Sequence, residues 1–407
     1  MAKRGFNCWC SAFLLLVTMM GNCGHQQVAA PAPSTDTLPL PVASCEELHR
    51  DALVIDGHAD TIQLVLAGRD LAMRGKDGHL DIPRMREGGL DAQFFAIFVD
   101  SIYQGEAAAQ RTRQIIDRIE HICKQHSEQL TLVRSAGETE EAVENGDIAI
   151  LMGIEGGHAI NNSLTVLEEF YQRGVCYLGL TWSNTNDWAD AAGDVVRHHG
   201  LSDFGERVVR EMNRLGMLID ISHASDETFY DVLATSKQPV IASHSACRAL
   251  TNHPRNLTDE MLRALARNGG VCCINFYSEF VDESYRRRQP RYHKPSAGAL
   301  SAKQFGGNLD AWAVARFQRF LADNGNPPPD LTALIDHIDH AVKVAGIDHV
   351  GLGSDFDGIS SLPRGLEDVS KLPAITCALA ARGYSQNDIK KILGGNLLRV
   401  LRTVKGN

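Results

Sequence analysis

At 407 residues the chain is long enough for one large domain or two ordinary ones. Its 44% hydrophobic and 22% charged residues strike an ordinary globular balance. A net charge of −10, with no basic block to offset it, argues against nucleic acid as a partner.

The first residues read as an export signal. Lys3 and Arg4 give a short positive start, and residues 8–20 are mostly apolar around the unbroken core Ala12-Phe-Leu-Leu-Leu-Val17. Such a stretch is too short for a membrane span and suits the apolar region of a signal peptide. Gly21-Asn22-Cys23 comes next, and a Cys at that point suggests a bacterial lipoprotein acylated there. Asn22 departs from the small residue expected before such a Cys. Two readings therefore stay open, a lipid anchor at Cys23 or plain secretion, and both place the protein in the periplasm or on a membrane surface. Residues 1–23 read as the signal peptide. Residues 24–43, rich in Gln, Ala, Pro, Ser and Thr, read as a flexible tether, and 44–407 as a single domain. Beyond the signal the cysteines are Cys45, Cys123, Cys176, Cys247, Cys272, Cys273 and Cys377. With no CxxC and an odd count they announce no disulfide framework. Cys176, Cys272 and Cys273 lie in apolar runs and read as small core residues.

After the tether, short apolar runs alternate with longer amphipathic segments. The runs cover 52–55, 92–99, 148–153, 175–180, 217–221, 240–242, 271–276 and 349–353. Segments with helical period lie between them, among them 107–126, 203–215, 258–268 and 331–345. This alternation implies parallel strands joined by right-handed crossovers. Eight units over about 350 residues fit an α/β fold of the (β/α)8 TIM-barrel type. A doubly wound sheet would carry a Gly-rich phosphate turn after an early strand, and none is evident. Residues 276–310, with Arg286-Arg-Arg288, Arg291 and Lys294, read as a long loop on the active-site face. Residues 385–400 read as a closing helix.

The residues at the ends of the runs carry the chemistry. The first run ends in His58 and Asp60, the third in Glu155-Gly-Gly-His158, the fifth in Ser222-His223, the sixth in Ser243-His244-Ser245 and the eighth in Ser354-Asp355-Phe-Asp357. In a parallel barrel all these ends meet on one rim, where barrel enzymes keep their chemistry. A single His or acid at a strand end is ordinarily a capping group. Five strand ends that each carry one point to a metal site. His58, His223, His244, Asp60 and Glu155 exceed what one tetrahedral ion needs, so two ions are expected, with Glu155 bridging. Two ions can share a hydroxide at neutral pH and polarise a carbonyl beside it, which is hydrolase chemistry. Asp355 would then carry a proton from the water to a leaving amine. His158 reads as a group that orients Glu155 or a loop. His198, His199, His337 and His340 read as surface or helix residues.

The motifs Asp56-Gly-His-Ala-Asp60, Ile154-Glu-Gly-Gly-His158, Asn186-Asp-Trp-Ala-Asp190, Ile219-Asp-Ile-Ser-His223, Ser243-His-Ser245, Arg255-Asn256 and Gly353-Ser-Asp-Phe-Asp-Gly358 span the mature chain. Together they resemble the membrane (renal) dipeptidase family, peptidase family M19 of the amidohydrolase superfamily, and the leader suggests a bacterial member. The resemblance implies a binuclear zinc barrel that cleaves small dipeptides, two Zn2+ per chain, and a homodimer. It implies that His58 and Asp60 hold one zinc, that His223 and His244 hold the other and that Glu155 bridges. It further implies that Arg255 grips the substrate carboxylate, a task suited to a guanidinium, and that Asp355 handles the proton. One position departs. Where the family carries a His that contacts substrate near the scissile carbonyl, this chain has Trp182, whose indole donates one hydrogen bond but cannot change charge. Trp182 is therefore expected at a reshaped substrate pocket, and hydrolysis of another small amide, a lactam or a lactone stands as the alternative. A non-catalytic binding protein would be expected to have lost ligands, and none is lost.

Overall fold

The computed structural model describes residues 42–289, 308–320 and 325–406. The signal peptide, Cys23, the tether up to residue 41, Arg291 and Lys294 lie outside the described residues. The described residues form one compact unit. No helix among the described residues is long and apolar enough to cross a membrane.

Among the described residues nine strands form a wholly parallel sheet: β1 (Ile55–Ala59), β2 (Ala92–Phe98), β3 (Leu130–Leu132), β4 (Ile148–Glu155), β5 (Val175–Gly179), β6 (Leu218–Asp220), β7 (Ile241–Ser245), β8 (Val271–Ile274) and β9 (Val350–Leu352). The order is β2-β1-β9-β8-β7-β6-β5-β4-β3, and β2 also pairs with β4. That extra pairing, seven residues long from Ala92↔Ala149 to Phe98↔Glu155, closes eight strands into a barrel and leaves β3 as a short flap on β4. Apart from β3, each strand is buried along its whole length. Strands covered on both faces lose the polar alternation of a half-exposed strand and read as unbroken apolar runs, which is why each of the eight barrel strands overlaps one of the eight runs.

The helices between strands are set by ordinary local signals. Ser202 caps Asp203–Leu215 through a hydrogen bond to the Gly205 N–H, and Gly216 ends it in a left-handed conformation. Thr258 caps Asp259–Arg267 in the same way through Met261. Glu106–Gln125 and Leu331–Ala345 match the expected segments.

Several expectations need correction. The first strand lies further along than the apolar run, at Ile55–Ala59, so His58 sits inside it. Residues 276–289 are not an irregular loop: they form Ser278–Val281 and Glu283–Arg288, each buried on one side through Phe280 and Tyr285. The closing segment is two helices, Gln386–Lys390 and Asn396–Lys405, joined by a π-helical turn, Lys391–Gly395. A disulfide joins Cys45 to Cys377 across 332 residues, although spacing alone announced none. His337 is a helix residue but a buried one, its Nδ1 accepting the Cys247 N–H at 3.0 Å.

Candidate metal centre at the carboxyl rim

Irregular backbone aims the side chains. The pairing of β1 with β2 slips between Asp56 and Ala59, and that of β7 with β8 slips between Ala242 and Ser245. Each slip brackets a histidine, His58 or His244, and a bulge re-aims the side chain it contains. His223 and Asp355 have φ of 69° and 63°, left-handed values that non-glycine residues seldom adopt and that cluster at functional sites. The segment bearing Asp355 is fastened to β1. Ser354 donates its N–H and hydroxyl to the two Asp56 oxygens at 2.7 and 2.6 Å, and the Asp355 N–H reaches the His58 carbonyl at 3.0 Å. Gly358 is required there, since a Cβ would stand 2.1 Å from Asp60 Oδ2 and 2.4 Å from Asp355 Oδ1.

The five expected ligands converge, all buried. His223 Nε2 lies 2.8 Å from Glu155 Oε1 and 3.0 Å from His244 Nε2, and His244 Nε2 lies 3.7 Å from the same oxygen. Three lone-pair atoms gather this closely only around a proton or a cation. His58 Nε2 faces Asp60 Oδ2 and Glu155 Oε2, each at 3.5 Å, and has no hydrogen-bond partner; Asp60 Oδ1 has none either. The two oxygens of Glu155 thus point to different histidines. Donor atoms fall within 4.8 Å of one another in two sets, His58–Glu155–His244 and His58–Asp60–Asp355. The second set brings Asp355 within ligand reach as well as within reach of a proton-carrying role.

Electrostatics divide the site. Burial holds His223 down to about 4 and His244 well below the ordinary histidine value, helped by Arg255 at the first and His58 at the second. Burial and then the Glu155 charge raise Asp60 to about 8. Burial also raises Asp355, against the pull of His58. Burial disfavours a charged Glu155, yet His58 and His223 outweigh it and keep the carboxyl strongly acidic. Burial likewise disfavours a charged His58, but Tyr177, Glu155 and Asp60 together lift it well above its usual value.

The remaining expected residues surround this centre. Arg255 is buried, donates from Nη2 to the His244 carbonyl at 3.2 Å and lies 5.5 Å over the Phe280 ring, with Nε lacking a partner. Burial lowers its pKa to about 10, so it remains a cation at neutral pH. Trp182 is half-buried, its ring 4.9 Å from Phe98 and 6.5 Å from His223. Asp190 folds the loop beyond it by accepting the N–H groups of Arg197, His198 and Gly200. His158 does not orient Glu155, whose contacts are with His58, His223 and His244. It is buried in the turn Gly157–Ile160, where burial lowers its pKa and Asp100 opposes the shift.

Sequence reasoning missed three supporting groups. Tyr177 meets His58 Nδ1 at 2.8 Å. Ser243 Oγ meets His244 Nδ1 at 2.8 Å and donates to Asp220 Oδ2 at 2.6 Å. Asn275 donates to Asp355 Oδ2 at 2.9 Å. Ser243 and Asp220 lie within the motifs Ser243-His-Ser245 and Ile219-Asp-Ile-Ser-His223, whereas nothing local marks Tyr177 or Asn275.

The profile of the membrane dipeptidase family, peptidase family M19, matches residues 42–407. The chain is 35% identical over 378 residues to an uncharacterised dipeptidase of Schizosaccharomyces pombe, covering 87% of this chain and 81% of that one. It is 34% identical over 372 residues to Dipeptidase 3 of Mus musculus, covering 88% and 66% respectively. A metallo peptidase from Rhodobacter sphaeroides, solved with a phosphinate mimic of the dipeptide L-Ala-D-Ala, superposes with a TM-score of 0.72 at 28% identity over 87% of this chain and 99% of that chain.

Proposed function

Because the chain belongs to the membrane dipeptidase family of metallopeptidases, we propose that it hydrolyses the peptide bond of small dipeptides at a binuclear zinc centre. His58 and Asp60 would hold one ion and His223 and His244 the other, with Glu155 available to both. The observation that carries this is the meeting of His223 Nε2, His244 Nε2 and Glu155 Oε1 at 2.8 to 3.7 Å, a gathering of lone pairs that asks for a cation. Ions bound there would make a water nucleophilic at neutral pH as hydroxide and polarise the scissile carbonyl.

The chain's own groups do the rest. Arg255 binds the free carboxylate of the substrate, its unpartnered Nε supplying a second N–H beside the cation. Asp355 Oδ1 takes up the proton lost by the attacking water and returns it to the leaving amine, while Asn275 holds Oδ2 in place.

Trp182 favours a second reading, hydrolysis of another small amide, a lactam or a lactone. Its indole, set against Phe98 and 6.5 Å from His223, gives the pocket an apolar wall. Metal analysis of the purified protein, joined to a panel of dipeptides, N-acyl amino acids and lactones, decides between the two. Turnover of dipeptides with about two zinc ions per chain is the expected result; turnover of lactones alone selects the second reading, and protein without stoichiometric metal ends both.

Export rests on the leader and on the Cys45–Cys377 disulfide, which belongs to an oxidising compartment. Lipid labelling that disappears in C23A would support an anchor and with it a bacterial source; unlabelled, freely soluble protein supports plain secretion. Homodimerisation, an expectation from the family, is read directly by light scattering.

A further inference from the structure

We infer that Tyr177 is the positioning residue that fixes the proton and the ring of His58, so that Nε2 is presented to the metal. This rests on the binuclear metal reading. Tyr177 belongs to β5 and is buried among the barrel strands, yet its hydroxyl ends 2.8 Å from His58 Nδ1 on β1. The same hydroxyl lies 3.3 Å from the Gly57 carbonyl, an acceptor only. The phenol therefore donates to Gly57 and accepts from His58, which keeps the imidazole proton on Nδ1. Nε2 is left as the coordinating atom, facing Asp60 Oδ2 and Glu155 Oε2 at 3.5 Å. A ligating histidine commonly gives its other N–H to a carboxylate or a carbonyl, and such partners orient the ring and tune affinity. His244 follows that pattern through Ser243 and the Asp220 carboxylate. His58 does so through the Tyr177 hydroxyl and the Gly57 carbonyl.

The ring is locked into this pose. Gly153 pairs with Tyr177 between β4 and β5, and a Cβ on Gly153 would stand 1.9 Å from Cζ of the ring. The opposite wall is Phe94, stacked at 5.3 Å between centroids. The missing side chain at Gly153 is the space the phenol occupies as it crosses toward β1. Position 153 thus helps to set the geometry of a ligand on another strand.

Y177F removes one oxygen and keeps the ring. Chelator competition on the purified holoenzyme should show one of the two ions held about 10–100-fold more weakly than in the wild type, and the other unchanged. In the cobalt-substituted protein the visible spectrum should change for one ion only. Excess metal should restore kcat, whereas damage to the barrel would not be cured by metal. Unchanged affinity and spectrum in Y177F, beside a wild type that binds two ions, overturns the role of Tyr177 and leaves the metal reading standing. A wild type that binds none sinks both. If Y177F does not fold, the 15N shifts of His58 in zinc-loaded wild type decide: a protonated Nδ1 supports the assignment and a protonated Nε2 overturns it.

Discussion

The two halves of the rim are built from the same kinds of residue and are held in opposite ways. On one side, His223 and His244 are kept neutral by burial, and their nitrogens face each other at 3.0 Å. On the other, His58 is pressed against Asp60 with Asp355 close by, and both acids are raised, so protons can replace a missing cation. The first half finds its relief within the neutral rings, since each imidazole keeps one N–H and His223 Nε2 can direct it to Glu155 Oε1 at 2.8 Å. The difference teaches that the two halves meet the same crowding of polar atoms differently, by choice of neutral tautomer on the β6–β7 side and by raised acids on the β1–β9 side. Glu155, with one oxygen toward each, is the one of the five candidate ligands that faces both halves.

Breaking that bridge should have the largest effect. E155Q is expected to lose metal from both halves and to fall to background turnover, whereas H244A should lose one ion only; metal counting by mass spectrometry separates them, and equal losses would erase the distinction. Next comes D355N. As a proton carrier, Asp355 should leave both ions bound when replaced, while turnover drops about 10²–10⁴-fold. If an ion leaves instead, Asp355 belongs among the ligands of the β1–β9 side.

A test on a residue outside the candidate ligands separates the pH response of the fold from that of the site. His337 is lowered to about 4, chiefly by burial. Its folded pKa lies below the unfolded value of about 6.5, so the unfolded chain binds more protons between the two. Stability is whole above about pH 6.5 and falls by about 3 kcal/mol as the pH drops through that window to 4. Urea melts of wild type and H337N between pH 7 and 4 measure it, and parallel curves would refute the contribution. The smallest effect is expected at Arg255. R255A should lose about 10–100-fold in kcat/KM on substrates with a free carboxylate, the worth of a hydrogen bond to a charged group. Amide-capped analogues should lose little, and an equal loss on both would mean that Arg255 serves the fold.

The barrel was legible because parallel strands buried on both faces leave contiguous apolar runs, and because His or acid recurs where those runs stop. The convergence of the five candidate ligands was legible for the same reason. The three-residue strand β3 was not, since it lies outside the closed ring, is only partly buried and so belongs to no contiguous apolar run. Tyr177 sits inside the run Val175–Gly179, where it looks like one more core residue. Its hydroxyl gains meaning only when β1 arrives beside it in space. Asn275 and the Cys45–Cys377 pair were hidden likewise, each acquiring its partner through closure rather than through spacing.

That closure joins the earliest strand to the latest: β1 pairs with β9, and His58 accepts through its carbonyl from Asp355, almost 300 positions downstream. A nascent polypeptide that has not yet been synthesised past Leu352 has an open cylinder and no Asp355, although the five candidate ligands are already present along it. The enzyme therefore cannot switch on piecemeal during translation, and a stop codon anywhere before that strand leaves nothing partially active.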